Sequence, residues 1–282
     1  MSRISYLNGE FLPHEECLVH IDDRAFQFGD GVYEVILFKN GRFVDFDGHF
    51  QRLVRSLGEI EIEFDISAQE LKSILCDIFE KNNQDGGSCY LQISRGVSPR
   101  IQCFPKEKSS PTFNITVNPP KSLSPQEFEE GVTVMTHEDI RWSRCDIKSL
   151  NLLAASLLNQ KAKESGFNDV VMIRDEYVTE GSFSNVFIID KDDKLVTRPA
   201  DNFILCGITR NRIIALAKDI GLEVQERKFK LNELESAKEV FLTSSTLMIR
   251  PVTKVNKAVI SGSKVGAVTK KLFDKYQEFI GN

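Results

Sequence analysis

Asn118-Pro119-Pro120-Lys121-Ser122-Leu123-Ser124-Pro125 divides this chain of 282 residues. Prolines remove backbone donors and fix φ, so this stretch is predicted to sustain neither helix nor sheet and to link two domains. Before it, the punctuation is that of an α+β unit. Asn8-Gly9 and Asn40-Gly41 stand between apolar runs, and Asn-Gly accepts the positive φ angles of tight hairpin turns, so residues 33–39 should pair with 42–46. A helix is expected after Asp47, with Phe50, Leu53, Val54 and Leu57 on one face and Arg52 and Arg55 off it. Ser67 and Glu70 form a capping box that opens a second helix, carrying Leu71, Ile74, Leu75, Ile78 and Phe79 as far as Asp85-Gly86-Gly87. Strands near residues 90–94 and 113–117 complete this half.

Beyond the linker, apolar runs at 132–135, 170–173, 186–189 and 240–243 read as strands. Helical spacing runs over 150–165, where Gly166 provides the stop, and over 209–220 and 265–280. The expected architecture is a two-domain α+β and α/β protein. Residues 1–118 form a smaller N-terminal α+β domain, 119–125 the linker and 126–282 a larger C-terminal mixed domain, with catalytic groups in a cleft between them.

Lys and Arg number 36 against 41 Asp and Glu, a net charge of −5. No global positive field exists to gather nucleic acid or anionic lipid, so any bound anion must meet a local basic site. The start MSRISYLNGEF has no apolar leader-like core, and no apolar run approaches the ~18 residues of a membrane span, so a cytoplasmic protein is expected. Six scattered cysteines lack a CxxC pair, and the four histidines form no close-spaced ligand set; reduced thiols and no bound metal are expected.

Serine-hydrolase elbows and phosphate-binding P-loops are absent, and Gly29-Asp30-Gly31 lacks the third glycine of a dinucleotide fingerprint. Polar residues in apolar settings remain: Lys148 before 150–153, Glu180-Gly181-Ser182 before 186–189, and Gly207-Ile208-Thr209-Arg210 at a helix start. A lysine beside apolar elements can serve as an amine nucleophile, although such a lysine more often snorkels to solvent. Backbone N–H groups at the 207–209 helix start suit an anion.

Arg141-Trp142-Ser143-Arg144-Cys145-Asp146-Ile147-Lys148-Ser149-Leu150-Asn151-Leu152-Leu153 resembles, almost letter for letter, the lysine segment of bacterial D-amino acid aminotransferases. These are class IV, fold type IV, pyridoxal-phosphate enzymes. The likeness continues in order through Asp23-Arg24-Ala25-Phe26-Gln27-Phe28-Gly29-Asp30-Gly31-Val32-Tyr33-Glu34-Val35, Val178-Thr179-Glu180-Gly181-Ser182, Ser184-Asn185-Val186-Phe187 and Gly207-Ile208-Thr209-Arg210. Branched-chain aminotransferases and aminodeoxychorismate lyases share the scheme but look less similar around Lys148.

The resemblance implies a ping-pong transaminase that moves nitrogen between a D-amino acid and a 2-oxo acid, with pyridoxal 5'-phosphate in the C-terminal domain. It makes Lys148 the lysine that bonds to the cofactor and then shuttles the α-proton. Glu180 would face the pyridine nitrogen, and Arg52 would bind phosphate with its fork. Gly207, Ile208, Thr209, Ser244 and Ser245 would line the phosphate, and Leu205 would pack on the ring. Tyr33, Arg100, Gln102, Phe183 and Ser184 would meet substrate, Arg100 reaching into the neighbouring subunit of a homodimer. Gln102 replaces the family's histidine, and Phe183 and Leu247 replace serines, which puts the substrate range in question. Another class IV activity is the alternative: a branched-chain L-amino acid or (R)-amine transaminase, or the lyase. A non-catalytic binder of the cofactor is the reading from a different class.

Overall fold

A computed structural model describes residues 3–106, 109–120 and 123–281. It separates into two units, Met1–Lys121 with Ile147–Asn151, and Ser122–Asp146 with Leu152–Asn282. The predicted linker therefore needs two amendments. Lys121 and Ser122 lie outside the described residues, and Pro125 opens the helix Pro125–Glu130 rather than ending the linker. Proline suits the first helical position, where its missing N–H has no intrahelical acceptor, and Ser124 and Glu127 form a capping box around it. The chain also returns to the first unit at Ile147–Asn151, a crossing that no composition shift signals.

Among the described residues the first unit has a six-stranded sheet, in which Gly31–Lys39, Gly87–Ser94 and Thr112–Asn118 pair antiparallel. Asn8-Gly9 and Asn40-Gly41 make the expected turns at positive φ. The strand after Asn40-Gly41 is only Arg42–Phe43, shorter than expected, because Asp45 takes a left-handed conformation and Phe46 begins the helix Phe46–Glu59. Alternation sorts the sheet faces. Val32, Ile36, Leu91, Ile93, Ile115 and Val117 face the core with the helices Phe46–Glu59 and Ala68–Lys81. Leu71, Leu75 and Ile78 are fully enclosed there, and truncating any one of them to alanine should cost about 2–5 kcal/mol. The first helix buries Phe46, His49, Arg52, Leu53, Ser56 and Leu57, so its inner stripe includes Arg52, while Val54 is exposed.

The second unit is built on a mixed sheet, nine-stranded among the described residues. Val132–Glu138 lies parallel to both Asp169–Arg174 and Met248–Val255, and Asn185–Ile189 pairs antiparallel with Glu239–Ser244. Val171 joins one apolar cluster, whereas Val170 and Met172 join another with Leu158 and Ala162 of the helix Leu153–Glu164. That two-sided burial explains the unbroken apolar run. The helix starts three residues later than the expected 150, because Ser149 and Leu150 bond to the strand Gly31–Lys39 instead. No helix among the described residues is long and apolar enough to cross a membrane.

Candidate active site

In the first unit, Lys148 is held by its backbone. Tyr33 N–H donates to the Lys148 carbonyl at 3.0 Å, Leu150 N–H donates to the Gly31 carbonyl at 3.0 Å, and Ser149 bridges to Val32. Ile147 anchors the segment in the core. The glycines of Gly29-Asp30-Gly31 make room for it. A Cβ at Gly31 would lie 2.7 Å from the Ile93 carbonyl and 2.8 Å from Leu150 Cδ1, and one at Gly29 would lie 2.8 Å from Asn151 Oδ1. The Lys148 side chain is half-buried, and its Nζ lies 4.1 Å from the Tyr33 ring centroid. Tyr33 stacks on Tyr90 at 5.6 Å, and Tyr90 donates to Gln92 Oε1 at 2.7 Å. Burial, then Tyr33, pushes the Tyr90 hydroxyl up to about 12. This polar, aromatic face lies opposite the core face of the same strands. Tyr33 is thus not a core residue.

Arg52 is on the core side and is not solvated. Its Nε and Nη2 hold Glu34 Oε1 and Oε2 at 2.6 and 2.7 Å, and His49 Nδ1 adds a third bond at 2.8 Å. Burial alone would raise the Glu34 carboxyl; the Arg52 fork and His49 reverse that and hold it well below the usual carboxylate range. Arg100 and Gln102 lie on the exposed loop, the Arg100 guanidinium 5.3 Å from the Phe28 ring.

The second unit assembles the other expected residues. Glu180 is buried at the end of the strand Tyr177–Gly181. Arg141 Nη1 donates to its Oε1; Asn185 Nδ2 and the Leu205 N–H donate to its Oε2 at 3.2 and 3.0 Å. Burial pushes this carboxyl up, against the pull of Arg141. Arg141 is locked in turn by a two-point contact with Asp139, both oxygens at 2.9 Å, and these carboxylates keep it charged. Leu205 is half-buried, its carbonyl accepting from Asn185 at 2.9 Å.

Asn185 also sets the helix Ile208–Asp219. A Cβ at Gly207 would lie 2.0 Å from Asn185 Oδ1, so only glycine fits that N-cap, and no side chain caps the helix start at Gly207, Ile208 and Thr209. Asn185 lies opposite Thr243 in the sheet, hence on the same face, and the Thr243 Oγ1 is buried without a hydrogen-bond partner. An uncapped helix start beside an unsatisfied buried hydroxyl fits an anionic group. Ser244 and Ser245 follow Thr243 at the strand end.

The family profile described as amino-transferase class IV matches residues 31–255. The D-alanine aminotransferases of Listeria monocytogenes serotype 4b (strain F2365) and Bacillus licheniformis are 41% and 39% identical to the chain, over 97% of it and 95% of each relative. The chain belongs to the class IV aminotransferases. Escherichia coli branched-chain amino acid aminotransferase superposes with a TM-score of 0.92 at 27% identity, covering 100% of this chain and 94% of the other. A putative 4-amino-4-deoxychorismate lyase from Legionella pneumophila does so at 0.82 and 25%, covering 93% and 95%. The expected family and the fold type IV architecture are both borne out.

In this class IV aminotransferase two of the three departures from the family pattern, Phe183 and Leu247, come together. Phe183 and Leu247 line one cavity of about 60 Å³, together with Ser184, Ser244, Asp169 and Arg250. Ser184 Oγ is buried there without a partner, and burial pushes Asp169 up. The roles of Arg141, Asp139 and Asn185 are not signalled by their sequence positions, although Arg141 and Asn185 stand inside the quoted motifs. Glu34 does carry a signal: an acidic residue in the core-facing alternation Val32, Glu34, Ile36.

Proposed function

We propose that this chain is a pyridoxal-phosphate-dependent D-amino acid transaminase, using donors such as D-alanine and acceptors such as 2-oxoglutarate. Identity of about 40% over nearly the whole chain to proteins named D-alanine aminotransferase carries the substrate reading. Pyridoxal phosphate would supply an aldehyde for the amine and an electron sink for the bond-breaking step. Lys148 is the catalytic residue: its Nζ is the nucleophile toward the cofactor and the carrier of the substrate α-proton. Glu180 keeps a carboxylate at the ring nitrogen, with Arg141 and Asn185 fixing its orientation. The uncapped backbone at Gly207, Ile208 and Thr209, with Ser244 and Ser245, would receive the phosphate; Arg52, to which the resemblance gives the same role, has Nε and Nη2 engaged by Glu34. Leu205 would pack on the ring. Tyr33, Phe183, Ser184, Arg100 and Gln102 would meet substrate, Arg100 in the neighbouring subunit of a cytoplasmic homodimer. The exposure of the Arg100 loop supports that assignment.

Incubating the enzyme with D-alanine and 2-oxoglutarate, or with L-leucine and 2-oxoglutarate, tests the reading when the glutamate enantiomer is resolved. D-Glutamate from the first pair is expected; L-glutamate from the second would refute it. Lys148→Ala should abolish both turnover and the yellow lysine-bound chromophore.

A further inference from the structure

We infer that Arg24 is a positioning residue for the Arg100 to Gln102 loop, and through that loop for recognition of the substrate carboxylate. The inference rests on the reading of Arg100 proposed above.

Arg24 is 3% exposed, yet its guanidinium spends most of its donors on this loop. Nη1 donates to the Ile101 carbonyl at 2.6 Å and to the Cys103 carbonyl at 3.5 Å, and Nη2 donates to the Gln102 carbonyl at 3.4 Å. Its Nε is fixed by Asp30 Oδ2 at 2.7 Å. The same carboxylate holds Arg95 through Nε at 2.8 Å and Nη2 at 3.0 Å, and the Arg95 guanidinium lies 3.6 Å from the Phe104 ring centroid, at the far end of the loop. Two buried arginines on one aspartate thus hold the segment from below.

Within the loop, Ile101 N–H also donates to the Pro99 carbonyl at 2.7 Å. Residues 101–104 belong to no helix or strand and their side chains are exposed. Held by its carbonyls, the backbone is fixed while the side chains stay free to meet another surface. The Arg24 and Arg100 guanidiniums both lie against Phe28, at 4.6 and 5.3 Å from its centroid, so displacing one disturbs the seat of the other. An ammonium cannot reproduce a planar fork that reaches Asp30 and three carbonyls together, so Arg24→Lys keeps the buried charge but loses the clamp.

The test measures KM and kcat for D-alanine and 2-oxoglutarate in Arg24→Lys, Arg24→Gln, Arg100→Ala and the double variants. The expected result is a KM about tenfold higher for both substrates in either Arg24 variant, ~1.4 kcal/mol by the affinity relation, with kcat within about twofold and the cofactor spectrum unchanged. In the Arg100→Ala background the same substitutions should add nothing further. Should Arg24→Gln fail to fold, Arg24→Lys alone decides the matter. An unchanged KM in Arg24→Lys, a fall confined to kcat, or an equal further loss on top of Arg100→Ala overturns the inference while leaving Arg100 in place. If Arg100→Ala itself leaves KM unchanged, the Arg100 reading fails, and this inference falls with it.

Discussion

Replacing Glu34 by glutamine should destabilise the protein by about 3 kcal/mol at neutral pH, the lower end of the range for breaking a buried ion pair. The carboxylate is 1% exposed and takes two bonds from Arg52 and one from His49. In the cofactor-free protein, glutamine keeps one acceptor oxygen but removes the carboxylate charge that faces the buried Arg52 guanidinium. At roughly 2–4 °C per kcal/mol for chains of this order, thermal unfolding should begin about 6–12 °C earlier. The pH dependence has a definite sign. Glu34 titrates well below the unfolded value of about 4.3, so its contribution is complete above that pH and is lost as pH falls toward the folded value. The gap between wild type and Glu34→Gln should therefore be flat from pH 7 to about 5. Below about 4 it should narrow by up to ~1.4 kcal/mol per pH unit. Urea unfolding of both proteins at several pH values from 7 to 3.5 measures it. A difference under about 1 kcal/mol, or one that does not narrow in acid, would refute the reasoning.

Gly207→Ala should drive Asn185 away from Glu180 and the Leu205 carbonyl, costing about 1–3 kcal/mol of stability and weakening cofactor retention on dialysis; unchanged retention counts against the helix start as the phosphate seat. Glu180→Gln should lower kcat on the order of 10²-fold while the protein stays coloured, as expected when one electrostatic partner of developing charge is removed. Turnover at the wild-type rate would remove its assigned role. Gln102→His should tighten dicarboxylic substrates by restoring a charge-assisted donor, seen as a lower KM for 2-oxoglutarate below pH 6.5 and not above it.

Local signals were legible wherever a residue dictates its own backbone. Asn8-Gly9, Asn40-Gly41, the Ser67 and Glu70 capping box and the Gly166 stop sit where their φ preferences and side-chain bonds require. The family was legible in the Lys148 string, whose letters are constrained by chemistry and packing together. What escaped depends on partners distant in sequence. Helical spacing over 150–165 could not show that Ser149 and Leu150 would be claimed by a strand more than a hundred residues earlier. Periodicity places Arg52 off the apolar stripe, and the Glu34 carboxylate that offsets its burial lies 18 residues away, on the sheet. Asn185 reads as an ordinary strand residue until Gly207 and Leu205 are brought beside it.

That long-range bridge also governs when the lysine acquires its place. Ser149 meets Val32 across 149 − 32 = 117 positions of chain. Once the strands up to Asn118 have paired, the loop left to close runs from Asn118 to Ser149 and costs roughly 3 kcal/mol of chain entropy, and the bond cannot form during synthesis until that stretch has been released. The first unit's sheet can pair earlier, since its own strands are complete by Asn118. Lys148 can therefore be added to a sheet that has already paired, and cofactor colour should recover on refolding no earlier than sheet structure does.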